Sequence, residues 1–395
     1  MKLLYKILFV YYQYGLLLYG RFLSIFLKPN PKEKSVLYLA AFFPENAGFH
    51  WRVKKWAGEL TKEGYSVSIR LATNKELLDE YPQNTYRFLF HFFVTRFSQV
   101  LAARQYETVI VRRELLLFNQ YGNHGLEKLL RKMCANVILD IDDDLSASKR
   151  QPAEVNSLFG KLMGEDGNSF RNSFAYYDQF IVASKYLKAY VQEHGGIAAD
   201  KITVIPTCVD YNYYPAKSYE SNTPTVFGWI GGVYNYPLLK QIIPILNELS
   251  TRYSFELHVI GNGQFEANSH FPIVNKVWSL QTEVADLLRC DIGLMPLDNS
   301  EESKGKGGFK LIQYMGLGIV SVASGVTINN DIVDQGSNSF LYQTDEELKK
   351  ILEDILQGKI DLAQMGQKAR TRIEKEYSFS GNRAEYLKIM KPIRS

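Results

Sequence analysis

Ser303-Lys-Gly-Lys-Gly-Gly-Phe-Lys-Leu-Ile-Gln-Tyr-Met-Gly-Leu-Gly-Ile-Val-Ser-Val-Ala-Ser324 joins a glycine-rich, lysine-bearing turn to a short apolar helix and, past Gly318, to a strand. Such a turn suits an anion. Backbone N–H groups at a helix N-terminus point outward, and glycine lets the backbone come close to a ligand. Lys304, Lys306 and Lys310 add full positive charge. Taken alone, the same residues also read as a solvated basic loop before an ordinary helix, because short glycine motifs recur by chance.

The neighbouring sequence decides between the two readings. Residues 225–232 (TVFGWIGG) are an apolar run ending in two glycines, and 255–261 (FELHVIG), 273–278, 291–296 (DIGLMP) and 319–323 are further strand-like runs. Between them, 237–253 and 283–289 carry helical apolar spacing, the longer with Leu238, Ile242, Ile245 and Leu246 on one face. Alternating strands and helices predict a doubly wound parallel sheet over 224–378. Gly231 and Gly232, residues 296–303 and the Lys-Gly loop then all fall at carboxyl ends of strands, where open α/β sheets bind ligands. Two helices, 345–357 and about 361–377, close this domain, and residues 379–395 form a last helix expected to pack back on the N-terminal domain.

Residues 35–215 read as a first domain of the same kind. The run 35–41 (SVLYLAA) is a buried strand, 42–50 a loop, 51–63 a helix closed by Gly64, and 65–71 the returning strand. Gly48, His50 and Arg52 lie at the first strand's carboxyl end and are candidate ligand contacts, although His50 by itself is a plain surface-loop residue. Residues 107–112, 178–184 and 202–207 are further strands, and 211–224, aromatic and proline-containing, reads as the linker. In 137–144 (VILDIDDD) an apolar strand runs into Asp140, Asp142, Asp143 and Asp144. Like charges this close raise one another's pKa unless a cation compensates. Arg112 and Arg113, at the end of a neighbouring strand, are the expected partners. Acid–base chemistry, a metal, sugar-hydroxyl recognition, or a capping turn all fit the cluster.

Residues 1–34 are different. The stretch 3–27 is almost wholly apolar and aromatic, broken by Lys6, Gln13 and Arg21. Gln13 and Arg21 argue against a transmembrane span, and 28–32 (KPNPK) is not a signal-peptide cleavage site. Tyrosines with flanking Lys and Arg suit a helix lying on an anionic membrane surface; a helix docked on the chain's own domain is the other reading. The 395 residues suggest two domains, and a net charge of +4 allows an anionic ligand without demanding nucleic acid. Cys134, Cys208 and Cys290 are too far apart for a disulfide framework, the six histidines show no ligand spacing, and no metal site is expected.

Two such halves resemble the GT-B glycosyltransferases, and the order of pieces in the second half is similar to glycosyltransferase family 4 (group 1). The matching words are 204–210 (VIPTCVD), 228–232 (GWIGG), 291–297 (DIGLMPL), 313–322 (QYMGLGIVSV), 336–341 (GSNSFL) and the closing Tyr377-Ser-Phe. Gly48-Phe-His-Trp-Arg52 stands where the family carries its acceptor-side glycine loop. The resemblance covers about 35–395, strongly in the second half and more weakly in the first. It departs from the family in three places. Gly305 and Gln313 occupy the positions of the family's paired glutamates, and Gly232 that of an arginine.

The resemblance implies two Rossmann-like domains facing a central cleft, and retaining, metal-independent sugar transfer from a nucleotide-diphosphate sugar, with no cofactor beyond that donor. The donor would lie against Gly231, Gly232, Lys306, Gly307, Lys310 and Gln313. The acceptor would lie against Gly48, Arg52 and Asp140, with His50, Asp142 and Asp143 as candidate catalytic residues. A glycan or lipid-linked acceptor in envelope or surface polysaccharide synthesis follows from the basic aromatic arm, and with it a cytoplasmic enzyme peripheral on the inner face of the cell membrane. A nucleotide-sugar epimerase of the same architecture, or a non-catalytic GT-B partner of a membrane glycosylation complex, would share these features.

Overall fold

The computed structural model describes residues 2–40, 47–79, 85–116, 124–143, 169–219 and 224–392. Asp144 of the acidic run, most of the loop after the first strand and part of the linker lie outside these residues. The chain divides into two compact units: Met1–Pro206 with Arg383–Ser395, and Thr207–Asn382.

The first unit is built on a six-stranded parallel sheet in the order β2-β1-β3-β4-β5-β6. Its strands are β1 (Lys32–Ala40), β2 (Ser66–Leu71), β3 (Tyr106–Arg112), β4 (Asn136–Ile141), β5 (Gln179–Val182) and β6 (Ile202–Val204). Val109–Val111 and Val137–Leu139 are buried, as near-continuous apolar runs in a parallel sheet must be when helices cover both faces. The helices are α1 (Lys2–Phe26), α2 (Lys55–Lys62), α3 (Thr85–Ala102), α4 (Gly125–Met133) and α5 (Lys185–Gly195). Helix α3 went unread in the sequence. Its apolar residues run round the helix with weak periodicity, while Phe88, Phe92, Phe93 and Phe97 still form a buried face. The helix expected over 51–63 starts with a π-turn, His50–Lys54, before α2 begins.

The N-terminal segment is one helix, and it packs on the first unit instead of forming a separate arm. Phe9, Val10, Gln13 and Leu17 are buried, and the Phe9 ring meets Phe93 edge-on at 6.4 Å. Gly20 sets the closeness of approach: a Cβ there would sit 2.7 Å from both Leu129 Cδ2 and Phe97 Cε2. Among the described residues no helix is long and apolar enough to cross a membrane.

The second unit holds another six-stranded parallel sheet, β12-β11-β10-β7-β8-β9. It comprises β7 (Thr225–Gly231), β8 (Phe255–Gly261), β9 (Ile273–Val277), β10 (Ile292–Met295), β11 (Val320–Ser324) and β12 (Phe340–Tyr342). Its helices are α6 (Ile243–Ser250), α7 (Glu283–Leu288), α8 (Phe309–Gly316), α9 (Asp345–Leu356) and α10 (Leu362–Glu376). The single helix expected over 237–253 is two pieces, Tyr236–Lys240 and α6. Pro244 explains the break, since it has no N–H to give and its ring crowds the carbonyl of Lys240 four residues back. Strand β12, three residues long, carried too little pattern to be read.

Residues 207–219, read as the end of the first domain and a linker, lie in the second unit. Tyrosines hold them there. The Tyr219 hydroxyl donates to the Gly318 carbonyl at 2.6 Å, that of Tyr211 to Arg370 at 2.9 Å, and that of Tyr213 to Leu280. The closing helix α11 (Phe379–Ile389) hands the chain back to the first unit from Arg383 onward. There the Tyr386 ring stacks on Trp56 at 3.8 Å, and the Tyr386 and Tyr38 hydroxyls share a 2.8 Å hydrogen bond.

Candidate functional site

In the second unit the strand order reverses between β7 and β10, so a crevice opens at their carboxyl ends. Gly231 ends β7 at that point. A Cβ on it would lie 2.8 Å from Lys310 Cε and 2.7 Å from Trp229 Cη2, so a larger residue would push the lysine and the indole aside. Gly232 is under no such pressure; a Cβ there would meet nothing closer than 3.6 Å. Lys310, in the first turn of α8, places its ammonium 4.7 Å from the centre of the Trp229 ring. A cation held against an aromatic face and beside a strand-ending glycine is aimed, not loose. The sequence marked Gly231 and Lys310 separately, and the structure brings them together; Trp229 was missed because it read as strand core.

Gly308 precedes α8 with φ +67°, and a Cβ on it would strike Ile328 and Ile332. It therefore needs to be glycine on two counts, and it turns the Lys-Gly loop into the helix. Lys306 pairs loosely with Glu302 at 3.5 Å. Across the loop, the Thr327 hydroxyl donates to the Lys304 carbonyl at 3.0 Å. Thr327 itself has φ +27°, a strained value for a β-branched residue, at the carboxyl edge of β11.

Gln313 lies one turn beyond Lys310 on α8, buried. Its Nε2 donates to the Tyr214 hydroxyl at 2.9 Å and to Glu283 Oε2 at 3.5 Å. Glu283 also accepts from Trp278 Nε1 at 2.9 Å and from the Tyr214 hydroxyl at 3.4 Å. Burial raises the Glu283 carboxyl to about 7, the three donors pulling the other way. Sequence reading named Gln313 but passed over Glu283, Tyr214 and Trp278, because Glu283 looked like the ordinary acidic start of a helix.

In the first unit the corresponding reversal falls between β1 and β3. Its carboxyl edge carries a compact ionic lattice. Arg52 Nη2 pairs with Asp140 Oδ1, its Nε reaches Asp140 Oδ2 at 3.3 Å, and its Nη1 donates to the Ile205 carbonyl at 2.7 Å. Arg112 Nη2 pairs with Asp142 Oδ2. Arg113 donates from Nε to Asp142 Oδ1 and from Nη2 to Asp143 Oδ2, both at 2.9 Å. Burial pushes the Asp142 carboxyl up, but Arg112, Arg113 and Arg52 outweigh it and hold its pKa well below the usual carboxylate range. Asp142 is thus a fixed anion. Asp143 is the more open member, its side chain 43% exposed. Arg113 sits at φ +66°, a left-handed value that a non-glycine residue adopts at a cost. His50 and Arg52 are buried in the π-turn, a local form that recurs at functional sites. The His50 ring meets Trp51 edge-on at 4.8 Å. Gly48 lies just before it in the helical turn Ala47–Phe49.

No family model and no curated protein matches this sequence. Solved structures do match. Anabaena HepE in complex with UDP-glucose shares 13% identity at a TM-score of 0.61, covering 90% of this chain and 99% of HepE. The apo form of WaaB, a lipopolysaccharide outer core galactosyltransferase, shares 14% at 0.59, covering 90% and 99%. TarM shares 13% at 0.54, covering 73% of this chain, which spans 55% of TarM. At these identities the likeness shows the fold: two parallel-sheet α/β units of the GT-B kind.

Proposed function

We propose that the chain is a glycosyltransferase that takes a sugar from a nucleotide-diphosphate donor, and that the donor's diphosphate lies at Gly231, Lys306, Gly307 and Lys310. The observation that carries this reading is Lys310, stacked on Trp229 and packed against Gly231 at the reversal of the second sheet. The departing group is a diphosphate, and the protein's task is to stabilise the negative charge that grows on it. The Lys310 ammonium, the Lys306 ammonium and the N–H groups at the start of α8 supply the opposing positive charge, with Gly232 leaving room beside them. The similarity to HepE, whose structure holds UDP-glucose, supports a nucleotide sugar as donor.

Retention and metal independence follow from the resemblance to family 4. The acceptor lies against the edge bearing Gly48, His50 and Arg52. In that edge Asp140 and Asp142 anchor buried arginines, and Asp143, which also pairs with Arg113, is the more exposed member and the one we assign to meet a hydroxyl or take its proton. The outward face of α1 exposes Tyr11, Leu18, Phe22, Ile25 and Phe26, and no acid precedes Glu33 while Lys2, Lys6, Arg21, Lys28 and Lys32 do. That composition suits an anionic bilayer surface and therefore a lipid-linked or envelope-glycan acceptor.

The test is calorimetric binding of UDP-, GDP-, ADP- and dTDP-sugars, followed by nucleotide release with and without an acceptor glycolipid. One nucleotide should bind, and the Lys306→Ala, Lys310→Ala double variant should weaken it at least about tenfold, the cost of losing charge-assisted contacts. Unchanged affinity in that variant would remove the diphosphate assignment. Binding without transfer to any acceptor would favour the non-catalytic partner, to which the absent glutamates at Gly305 and Gln313 point.

A further inference from the structure

The strained residue at the carboxyl edge of β11 sits against the start of the Lys-Gly loop. The Asn329 N–H donates to the Val326 carbonyl at 2.9 Å, which closes a turn with Thr327 at its first central position. Thr327 has φ +27° and ψ −101°. These values lie near the first corner of a type II′ turn, about +60° and −120°, where glycine is the ordinary occupant. A β-branched residue persists there only when its surroundings over-determine it. Hydrogen bonds on either side do so here. Asn329 Nδ2 donates to the Ser324 carbonyl at 2.9 Å, the Asn330 N–H to the Thr327 carbonyl at 3.0 Å, and the Leu297 N–H to Ser324 Oγ at 2.7 Å. The turn is thus tied to the ends of both β10 and β11.

What threonine adds over glycine is a hydroxyl. Thr327 Oγ1 donates to the Lys304 carbonyl at 3.0 Å. Lys304 ends the short helical turn Glu301–Lys304, and a carbonyl at a helix end has no partner within its own helix. The same segment meets the far end of the loop through Ile328 and Ile332. Gly308 packs against them so closely that a Cβ there would lie 2.8 Å from Ile328 Cγ1 and 2.6 Å from Ile332 Cδ1. Residues 305–308 are therefore held at both ends by one neighbour, and Lys306 lies between the two grips.

We propose that Thr327 is a positioning residue for the donor's diphosphate: its hydroxyl fixes where the Lys-Gly loop begins, so that Lys306 and the start of α8 are set before the ligand arrives. The inference rests on the donor reading above and deepens it, since it assigns the shape of the loop to a side chain whose hydroxyl is already given to the Lys304 carbonyl. A loop fixed in advance loses less conformational freedom on binding, so this bond adds to affinity from outside the contact itself. The strain accounts for the choice of residue, because glycine would fit the turn but has no hydroxyl to give.

Three variants separate the hydroxyl from the turn. Thr327→Ser keeps the hydroxyl, and whichever of UDP, GDP, ADP or dTDP the parent binds should be held within about threefold of the parent. Thr327→Val keeps the shape and loses the hydroxyl, while Thr327→Gly loses the hydroxyl and relaxes the turn. Both should bind the nucleoside diphosphate about tenfold more weakly, the weight of one hydrogen bond. Thr327→Gly should nevertheless melt about 2–4 °C above Thr327→Val, because it is free of the strain. Affinity then follows the hydroxyl and stability follows the turn, a split that a residue serving folding alone does not produce. The monophosphate of the same base presents one phosphate fewer to the loop and should weaken by less than about threefold in both variants. Thr327→Gly binding the diphosphate nearer to the parent than to Thr327→Val, Thr327→Ser losing as much as Thr327→Val, or monophosphate and diphosphate weakened alike, overturns this inference and leaves the donor reading standing. A parent that binds none of the four nucleotides overturns the donor reading, and the role of Thr327 with it.

Discussion

Burial raises the Glu127 carboxyl to about 7, with Glu114 adding to the effect and the backbone N–H of Glu127 and the charge of Lys128 opposing it. Its Oε2 has no hydrogen-bond partner among the described residues. A folded pKa above the unfolded value of about 4.3 means that the native state binds the proton more tightly. Stability from this group is therefore full at pH 4 and falls as pH rises toward 7, then levels off. Between pH 5 and 8 the loss is about 2–3 kcal/mol. Glu127→Gln should remove that share of the slope, so the variant gains on the parent by this amount over the window, read by urea unfolding at both pH values. Equal slopes would show that the carboxyl is solvated. Asp142 behaves in the opposite way, because three guanidiniums outweigh its burial. The sequence displayed the aspartates and even the arginines of this lattice. It did not show which aspartate each arginine would hold, because pairing depends on where the ends of β3 and β4 come to lie.

At the scale of elements, α1 has two faces with separate explanations. The inner one is held by Phe9, Leu17 and the close contact at Gly20. The outer one leaves Leu18 64%, Phe22 57% and Phe26 67% exposed, more apolar surface than a solvated helix retains without a partner. Leu18→Glu with Phe22→Glu should leave the melting temperature within about 2 °C of the parent, since neither side chain is buried. The same variant should abolish sedimentation with vesicles of anionic lipid at low salt. Vesicle binding unaffected by these two charges would remove the membrane reading of α1. Deleting the helix is a poorer test, because it also uncovers Phe93, Phe97 and Leu129. Amphipathic reading of 3–27 was ambiguous between bilayer and protein contact, and the structure shows that one helix has a face for protein and a second face left bare.

For the whole molecule, chain order and unit membership differ. Residues from Arg383 onward belong with the first unit although the second unit precedes them. Tyr386 fastens them, flat against Trp56 and bonded to Tyr38, and Asn136 Nδ2 donates to the Ile389 carbonyl at 3.1 Å. Tyr386→Ala should destabilise the first unit by about 3–5 kcal/mol, the usual cost of emptying an aromatic site. Nucleotide affinity should stay within about threefold, because the proposed donor site is built from the second unit alone. A large loss of nucleotide affinity would show that the site needs the first unit. Two parallel sheets, the glycines that end β7 and the basic character of the Lys-Gly loop were all legible in local sequence. Strand runs, helix spacing and glycine placement are short-range properties that survive in one dimension. What only the tertiary structure decided is which groups meet: Lys310 with Gly231 and Trp229, Gln313 with Glu283 and Tyr214, and each arginine of the first unit with its aspartate. Those residues are separated by up to about a hundred positions along the chain, and their distances are set by how helices pack on the sheets, a property carried by no single stretch of sequence.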